Sequence, residues 1–163
     1  MEDVGMAVGG MTSEARVLGP GRYSFVALSP GDRVETGRVE VTAAAIDAFA
    51  DLTGDRFAIH MDDDAARAKG FPARVAHGLL ILSLIDGLKN AAPAQFDAVA
   101  SLGWEWRFSR PVFIGDTLSA SITVTDKRVT AKPDRGILAL DFTVSNQDGA
   151  VVQAGSNTLM VHR

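Results

Sequence analysis

Two side chains of complementary acid–base type stand close together in the segment Asp51-Leu-Thr-Gly-Asp-Arg-Phe-Ala-Ile-His60. Asp55 brings a carboxylate and His60 an imidazole, the side-chain type that most readily exchanges a proton near neutral pH. Such a pair can serve as general base and general acid, each role contributing about 10²–10⁴ in rate. Five residues separate the two. In a regular helix that spacing turns them about 140° apart, and in a strand it sends them to opposite faces. They meet on one substrate only across an irregular turn, and Gly54 on one side with Asp62 to Asp64 on the other brackets such a turn. On spacing alone the plainer alternative stands: Asp55 caps a turn and His60 is a surface side chain.

His77-Gly78 is a second candidate, because a long apolar run begins directly after it. The first N–H groups of a helix have no intrahelical acceptor and carry the positive end of the helix dipole. A glycine there lets a substrate carbonyl approach, and one such oxyanion donor is worth roughly 3 kcal/mol of transition-state stabilisation. The alternative is a helix start that needs a small residue. His60-Met-Asp-Asp-Asp64 has metal-binding residue types, but three successive Asp at a helix start read as capping and solvation, and no metal is expected.

The elements that would hold these residues can be followed along the chain. Val39-Glu-Val41 reads as a strand end, and Thr42 stands where a helix N-cap belongs. Ala45, Ile46, Phe49, Ala50 and Leu52 follow at helical spacing until Thr53-Gly54 stops the helix. Asp62 to Asp64 start a short helix that runs to about Lys69, acids first and bases last, before Gly70-Phe-Pro72 breaks it. From Gly78 to about Ala91, seven Leu and Ile side chains surround a helix nearly completely, which predicts a buried one. Gly87 within it suggests close approach of another backbone, or only a propensity cost.

Strands follow at Gly103–Phe108, Thr117–Thr125, Ile137–Ser145 and Val151–Val161. In the second, Ala120, Ile122 and Val124 alternate with Ser and Thr, the period of a half-covered strand. Trp104 and Trp106 flank Glu105 and share one face, and Asp148-Gly149 signals a hairpin. The expected fold class is α+β, a single domain at 22–163 in which a curved antiparallel sheet wraps one long helix. Residues 1–21, punctuated by six glycines and prolines, read as a flexible lead-in.

Composition narrows the function classes. The chain has 163 residues, 47% hydrophobic and 22% charged, with 16 basic and 20 acidic side chains for a net charge of −4. That balance argues against a nucleic-acid surface and against a polybasic membrane patch. No apolar run approaches the roughly twenty residues that span a bilayer, and the start lacks a signal-peptide core. There are no cysteines, which excludes disulfides and thiolate sites and fits a reducing cytoplasm. His162, next to the end, reads as solvated.

Taken together, Asp-x-x-Gly-Asp-x-x-x-x-His-x-Asp at 51–62, Gly70-Phe71, Ala76-His-Gly-Leu79, Phe108-Ser-Arg-Pro-Val112 and Gly115-Asp-Thr117 resemble the MaoC-like dehydratases and (R)-specific enoyl-CoA hydratases. The resemblance covers about residues 34 to 161. It implies a hotdog fold, assembled as a homodimer or a dimer-based higher oligomer. It also implies a hydro-lyase that adds water reversibly across a 2-enoyl thioester carried on coenzyme A, with no metal or redox cofactor. Asp55 and His60 match the pair that holds and activates the water, and the Gly78 N–H matches the donor to the thioester oxygen.

Two positions depart from the family pattern. Phe57-Ala58 stands where the family usually reads Asn-Pro, which removes a constraint on φ and adds an apolar group beside the site, giving a reshaped substrate pocket or a distorted turn. Asp86 stands where the hydratases commonly have Ser, with Ser83 one turn earlier. A carboxylate in a buried helix needs a partner. Asp86 either faces the pocket, acting on Asp55 by like-charge repulsion or held protonated itself, or faces a partner subunit and is structural, satisfied by an Arg such as Arg107 or Arg110. Asp86 also keeps a second enzyme class open, a hotdog acyl-CoA thioesterase that uses a helix carboxylate. A third reading is a non-catalytic hotdog subunit that binds an acyl ligand.

Overall fold

A computed structural model of the protein describes residues 15–163. Helix α1 spans Ala43–Thr53; the Thr42 hydroxyl accepts from the Ala45 N–H at 3.1 Å, and Gly54 ends the helix at φ +77°. That left-handed conformation is the one glycine adopts without steric cost. A single turn, α2 (Ala58–Met61), and the short α3 (Asp63–Ala68) follow. Asp62 caps α3 by accepting from Ala65 N–H at 2.7 Å, and Arg67 in its last turn pairs with Asp64. The long helix is α4, Gly78–Ala91.

Around α4 runs a six-stranded sheet. Its strands are β2 (Arg33–Glu35), β3 (Val39–Glu40), β5 (Ala98–Phe108), β6 (Thr117–Val129), β7 (Arg135–Ser145) and β8 (Val151–His162), ordered β2-β6-β7-β8-β5 with β3 also on β6. All these pairings are antiparallel. Gly149 turns the β7–β8 hairpin at φ +75°. A separate parallel ladder joins β1 (Gly21–Tyr23) to β4 (Ala94–Phe96). The alternation read in β6 is the buried face: Leu118, Ala120, Ile122 and Val124 meet Leu138, Leu140, Phe142 and Val144 of β7 and Ile81 and Ile85 of α4 in one core. Trp104 and Trp106 share a face, each packed on Phe142 at 5.2 and 5.6 Å between ring centroids. No helix among the described residues is long and apolar enough to cross a membrane.

Three expectations need correction. The α4 helix is not covered all round: Leu79, Ser83 and Gly87 face outward, with Leu79 59% exposed. Among the described residues nothing lies within 4 Å of a side chain built at Gly87, so none of their backbone approaches it. The third concerns the lead-in, of which residues 1–14 lie outside the described residues. Residues 15–21 are held, because Arg16 grips Asp32 through two hydrogen bonds of 2.9 and 2.7 Å and Leu18 enters the core. Burial pushes the Asp32 carboxyl up. The Arg16 guanidinium, the Ser29 N–H and the Lys127 charge together outweigh that and hold it below its ordinary value.

Candidate active site

Asp55 and His60 do converge, and their local structure shows how. Gly54 turns the chain out of α1, and the Asp55 carboxylate accepts from the Phe57 N–H at 3.2 Å, closing a side-chain-mediated turn over 55–57. Helix α2 begins directly after it, so His60 rides on one helical turn rather than on an irregular one. Its Nδ1 lies 2.6 Å from the Val75 carbonyl. A carbonyl only accepts, so Nδ1 carries a proton, and of the two neutral tautomers the contact selects the one whose Nε2 is unprotonated. The Val75 N–H in turn donates to Ile59 O at 3.0 Å and the Ala76 N–H to Val112 O at 2.8 Å, fixing the strand-like segment on which His60 leans.

Behind His60 lies His77, which is 2% exposed. The two rings are 4.0 Å apart between centroids and tilted by 30°, and Phe49 packs on His77 at 5.0 Å. The His77 Nε2 stands 2.8 Å from the Asp55 carbonyl and donates to it. Nitrogen and carboxylate atoms of Asp55, His60 and His77 all come within 4.8 Å of one another.

A cavity of about 310 Å³ opens in front of His60. His60, Phe71, Val75, Gly78, Phe108, Arg110 and Gln153 are among its lining residues. It therefore brings His60 and the start of α4 to one space. The Gly78 peptide is braced from behind: Trp106 Nε1–H donates to Gln153 Oε1 at 2.8 Å, and the Gln153 amide donates to Gly78 O at 3.2 Å. A β-carbon on Gly78 would fall 2.6–2.7 Å from three ring atoms of Phe108, so the glycine serves the closeness of that ring as well as access to the helix N–H groups.

The remaining sequence candidates stand elsewhere. Phe57 is 57% exposed and sits edge-on to His60 at 6.0 Å, shielding the imidazole without lining the cavity. Asp86 does not line the cavity either; it pairs with Lys89 at 2.6 Å, one turn further along α4. Its partner is thus neither Arg107 nor Arg110, because a helical neighbour at i+3 reaches it without crossing to the sheet. Ser83 is exposed and donates to Leu79 O at 2.8 Å. His162 is exposed, and Asp62 to Asp64 are engaged in caps and in contacts with Arg67 and Arg74.

Sequence reasoning missed two members of the site, His77 as a side chain and Gln153. The first had a signal, a polar residue at the head of an apolar run where a buried side chain needs a partner. The second had none, since Gln153 sits in an ordinary strand.

Known proteins give an independent view of this arrangement. The family model described as MaoC like domain matches residues 25–146. Protein MaoC from Klebsiella aerogenes is 39% identical over 128 residues, 78% of this chain but 37% of that protein. The chain thus spans little more than a third of that relative. The (R)-specific enoyl-CoA hydratase of Aeromonas caviae is 33% identical over 69% of this chain and 81% of its own length. Among solved structures, the MaoC-like dehydratase from Rhodospirillum rubrum superposes with a TM-score of 0.78 at 30% identity, covering 86% of this chain and 97% of that one. A Mycobacterium tuberculosis protein described as having a double hotdog fold superposes at 0.76 and 25% identity, over 88% of this chain and 44% of its own. The α+β architecture is a hotdog.

Proposed function

The chain belongs to the MaoC-like domain family, and on that premise we propose that it is a hydro-lyase that hydrates 2-enoyl-CoA thioesters reversibly. The observation that carries the reading is the shared cavity: His60, with an unprotonated Nε2, and Gly78, at the head of α4, both line it. Asp55 stands within reach of His60. The thioester carbonyl makes the β-carbon electrophilic, and the Gly78 N–H receives the charge that collects on its oxygen as water adds. One proton leaves the water to the Asp55/His60 pair, the hydroxyl bonds to the β-carbon, and one proton returns from the pair to the α-carbon. The protein ends unchanged, and no metal or redox cofactor enters these steps.

The thioesterase reading rested on Asp86 as a carboxylate near the substrate, and the Asp86–Lys89 pair takes away that support. A purified sample given crotonyl-CoA tests the choice: loss of enone absorbance without free thiol is the expected result, and thiol release without hydration would overturn it. Asp55→Asn and His60→Ala should each lower kcat by about 10²–10⁴; unchanged activity in both would refute the assignment of the pair.

The same reading includes a homodimer. Strand β5 is 11 residues long and pairs with β8 on one side alone among the described residues, and Leu102 at 50% and Leu79 at 59% exposure stand out in the single chain. Long open edges and outward leucines favour association. Light scattering on the purified chain should return twice the monomer mass, and a monomer at micromolar concentration would contradict it. The absence of cysteines supports a cytoplasmic setting for this activity.

A further inference from the structure

We infer that His77 is a positioning residue: its ring holds both members of the acid–base pair in register with the head of α4. This deepens the hydratase reading and rests on it for the kinetic consequence.

Four observations carry the inference. His77 is the N-cap of α4, yet its side chain makes no capping hydrogen bond, so it is not there for the role that selects Ser, Thr, Asp or Asn at that place. It spends its Nε2–H instead on the carbonyl of Asp55, 22 residues away in sequence, at 2.8 Å. Its ring lies against His60 at 4.0 Å, and so limits the plane in which that imidazole can turn about its bond to Val75. Finally, its Nδ1 is buried with no hydrogen-bond partner among the described residues. A side chain kept only to fill this space would be apolar, because an unpaired buried nitrogen is a cost that Leu or Phe would not carry.

The geometry gives one residue three connections, two through its side chain and one through its backbone. The Nε2–H fixes the backbone from which the Asp55 carboxylate projects, the ring face fixes His60, and the peptide bond that follows His77 supplies the Gly78 N–H. Small errors in such relative placement are expensive, since a displacement of about 1 Å can cost about 100-fold in rate. Removing the donor while keeping the bulk should therefore slow the chemical step more than it weakens binding. Gln is the conservative replacement, because its amide nitrogen reaches about as far as Nε2 and donates to the same carbonyl.

The test combines kinetics with NMR of the intact chain, whose histidines number three. In the unmodified protein, long-range ¹H–¹⁵N spectra should show His77 protonated at Nε2 and His60 at Nδ1. A His77 ring protonated at Nδ1 alone would overturn the proposal before any variant is made. With crotonyl-CoA, His77→Leu is expected to lower kcat about 10- to 100-fold with KM within about threefold, and His77→Gln to stay within about fivefold of the parent. The Arg56 amide, which shares its peptide with the Asp55 carbonyl, should shift in His77→Leu and hold in His77→Gln, whereas the His60 ring signals move in both because both lose the neighbouring ring. A Leu variant with undiminished kcat, or a Gln variant no better than Leu, would refute the role. If Leu does not fold, the Gln variant and the tautomers still decide: a folded Gln variant that keeps the Arg56 amide signal supports the tie, and one that shifts it refutes it. Should the parent hydrate no enoyl thioester, the hydratase reading fails while the tautomer and amide signals still decide the tie.

Discussion

Gly78→Ala separates the catalytic use of the α4 start from its structural use. The new methyl would lie 2.6–2.7 Å from Cζ, Cε1 and Cε2 of Phe108, where ordinary van der Waals contact begins at 3.4 Å. The ring must therefore retreat by roughly 0.8 Å, and as the end of a side chain that is 57% exposed it can do so at small cost. Alanine also forms helix better than glycine by about 1 kcal/mol in a helix interior, somewhat less at a first turn. These effects oppose, so net stability should change by less than about 1 kcal/mol, or about 2–4 °C in Tm for a chain of this size. Catalysis has no such offset. Phe108 and Gly78 both line the cavity, so the methyl and the displaced ring stand where the thioester oxygen must come to reach the helix N–H. Losing an oxyanion donor costs about 2.7–4 kcal/mol, and merely lengthening the bond about half of that, which places the fall in kcat/KM between about 10- and 1000-fold. Steady-state hydration of crotonyl-CoA beside a thermal melt reads both quantities. In a Phe108→Ala background the same substitution should cost less, because part of the obstruction is the ring. A Gly78→Ala protein with parental kcat/KM would refute both the oxyanion assignment and the packing argument for the glycine.

Asp32 makes stability depend on pH in a definite direction. Its folded carboxyl is held below the ordinary value, so the stabilisation is fully present above the unfolded value of about 3.9 and is lost as pH falls through the folded one. Thermal melts from pH 6 to 3 should show a fall in Tm that is shallower in Asp32→Asn; parallel curves would count against the Arg16–Asp32 pair. Asp86→Ser, which restores the residue type common in the hydratases, should leave kcat/KM within about threefold. It would strand the buried Lys89 and cost about 1–3 kcal/mol in denaturant unfolding, discounted because Asp86 itself is half-exposed. A large kinetic effect with unchanged stability would instead put Asp86 in the substrate site.

Where local chemistry decides structure, the sequence was readable. Thr42 and Asp62 cap their helices, Gly54 stops α1, Gly149 turns the last hairpin, and the alternation in β6 is the buried face. The pair Asp55/His60 could be proposed but not joined, because its geometry depends on a carboxylate-to-backbone turn and on the Val75 carbonyl, 15 residues beyond His60. Backbone acceptors leave no trace in residue types. The same reason hid His77, whose partner is also a carbonyl. The Asp86–Lys89 pair is legible in the sequence from its i,i+3 spacing on one helix. Residues 15–21 were misread because glycine and proline frequency does not register a single bidentate ion pair such as Arg16–Asp32. The three-residue ladder of β1 with β4 is too short to leave a period.

The backbone bond that joins Val75 to Ile59 ties the reactive stretch to itself, and the bond from Ala76 to Val112 ties it to the chain downstream. Asp55, His60, His77 and Gly78 come from one uninterrupted stretch of chain, cross-tied to itself. Phe108, Arg110 and Gln153, which wall the cavity, come from strand ends far downstream. Substitutions in these downstream walls can therefore reshape the cavity without interrupting the stretch that carries Asp55, His60 and Gly78. A domain built this way can diversify what it accepts without reinventing how it reacts.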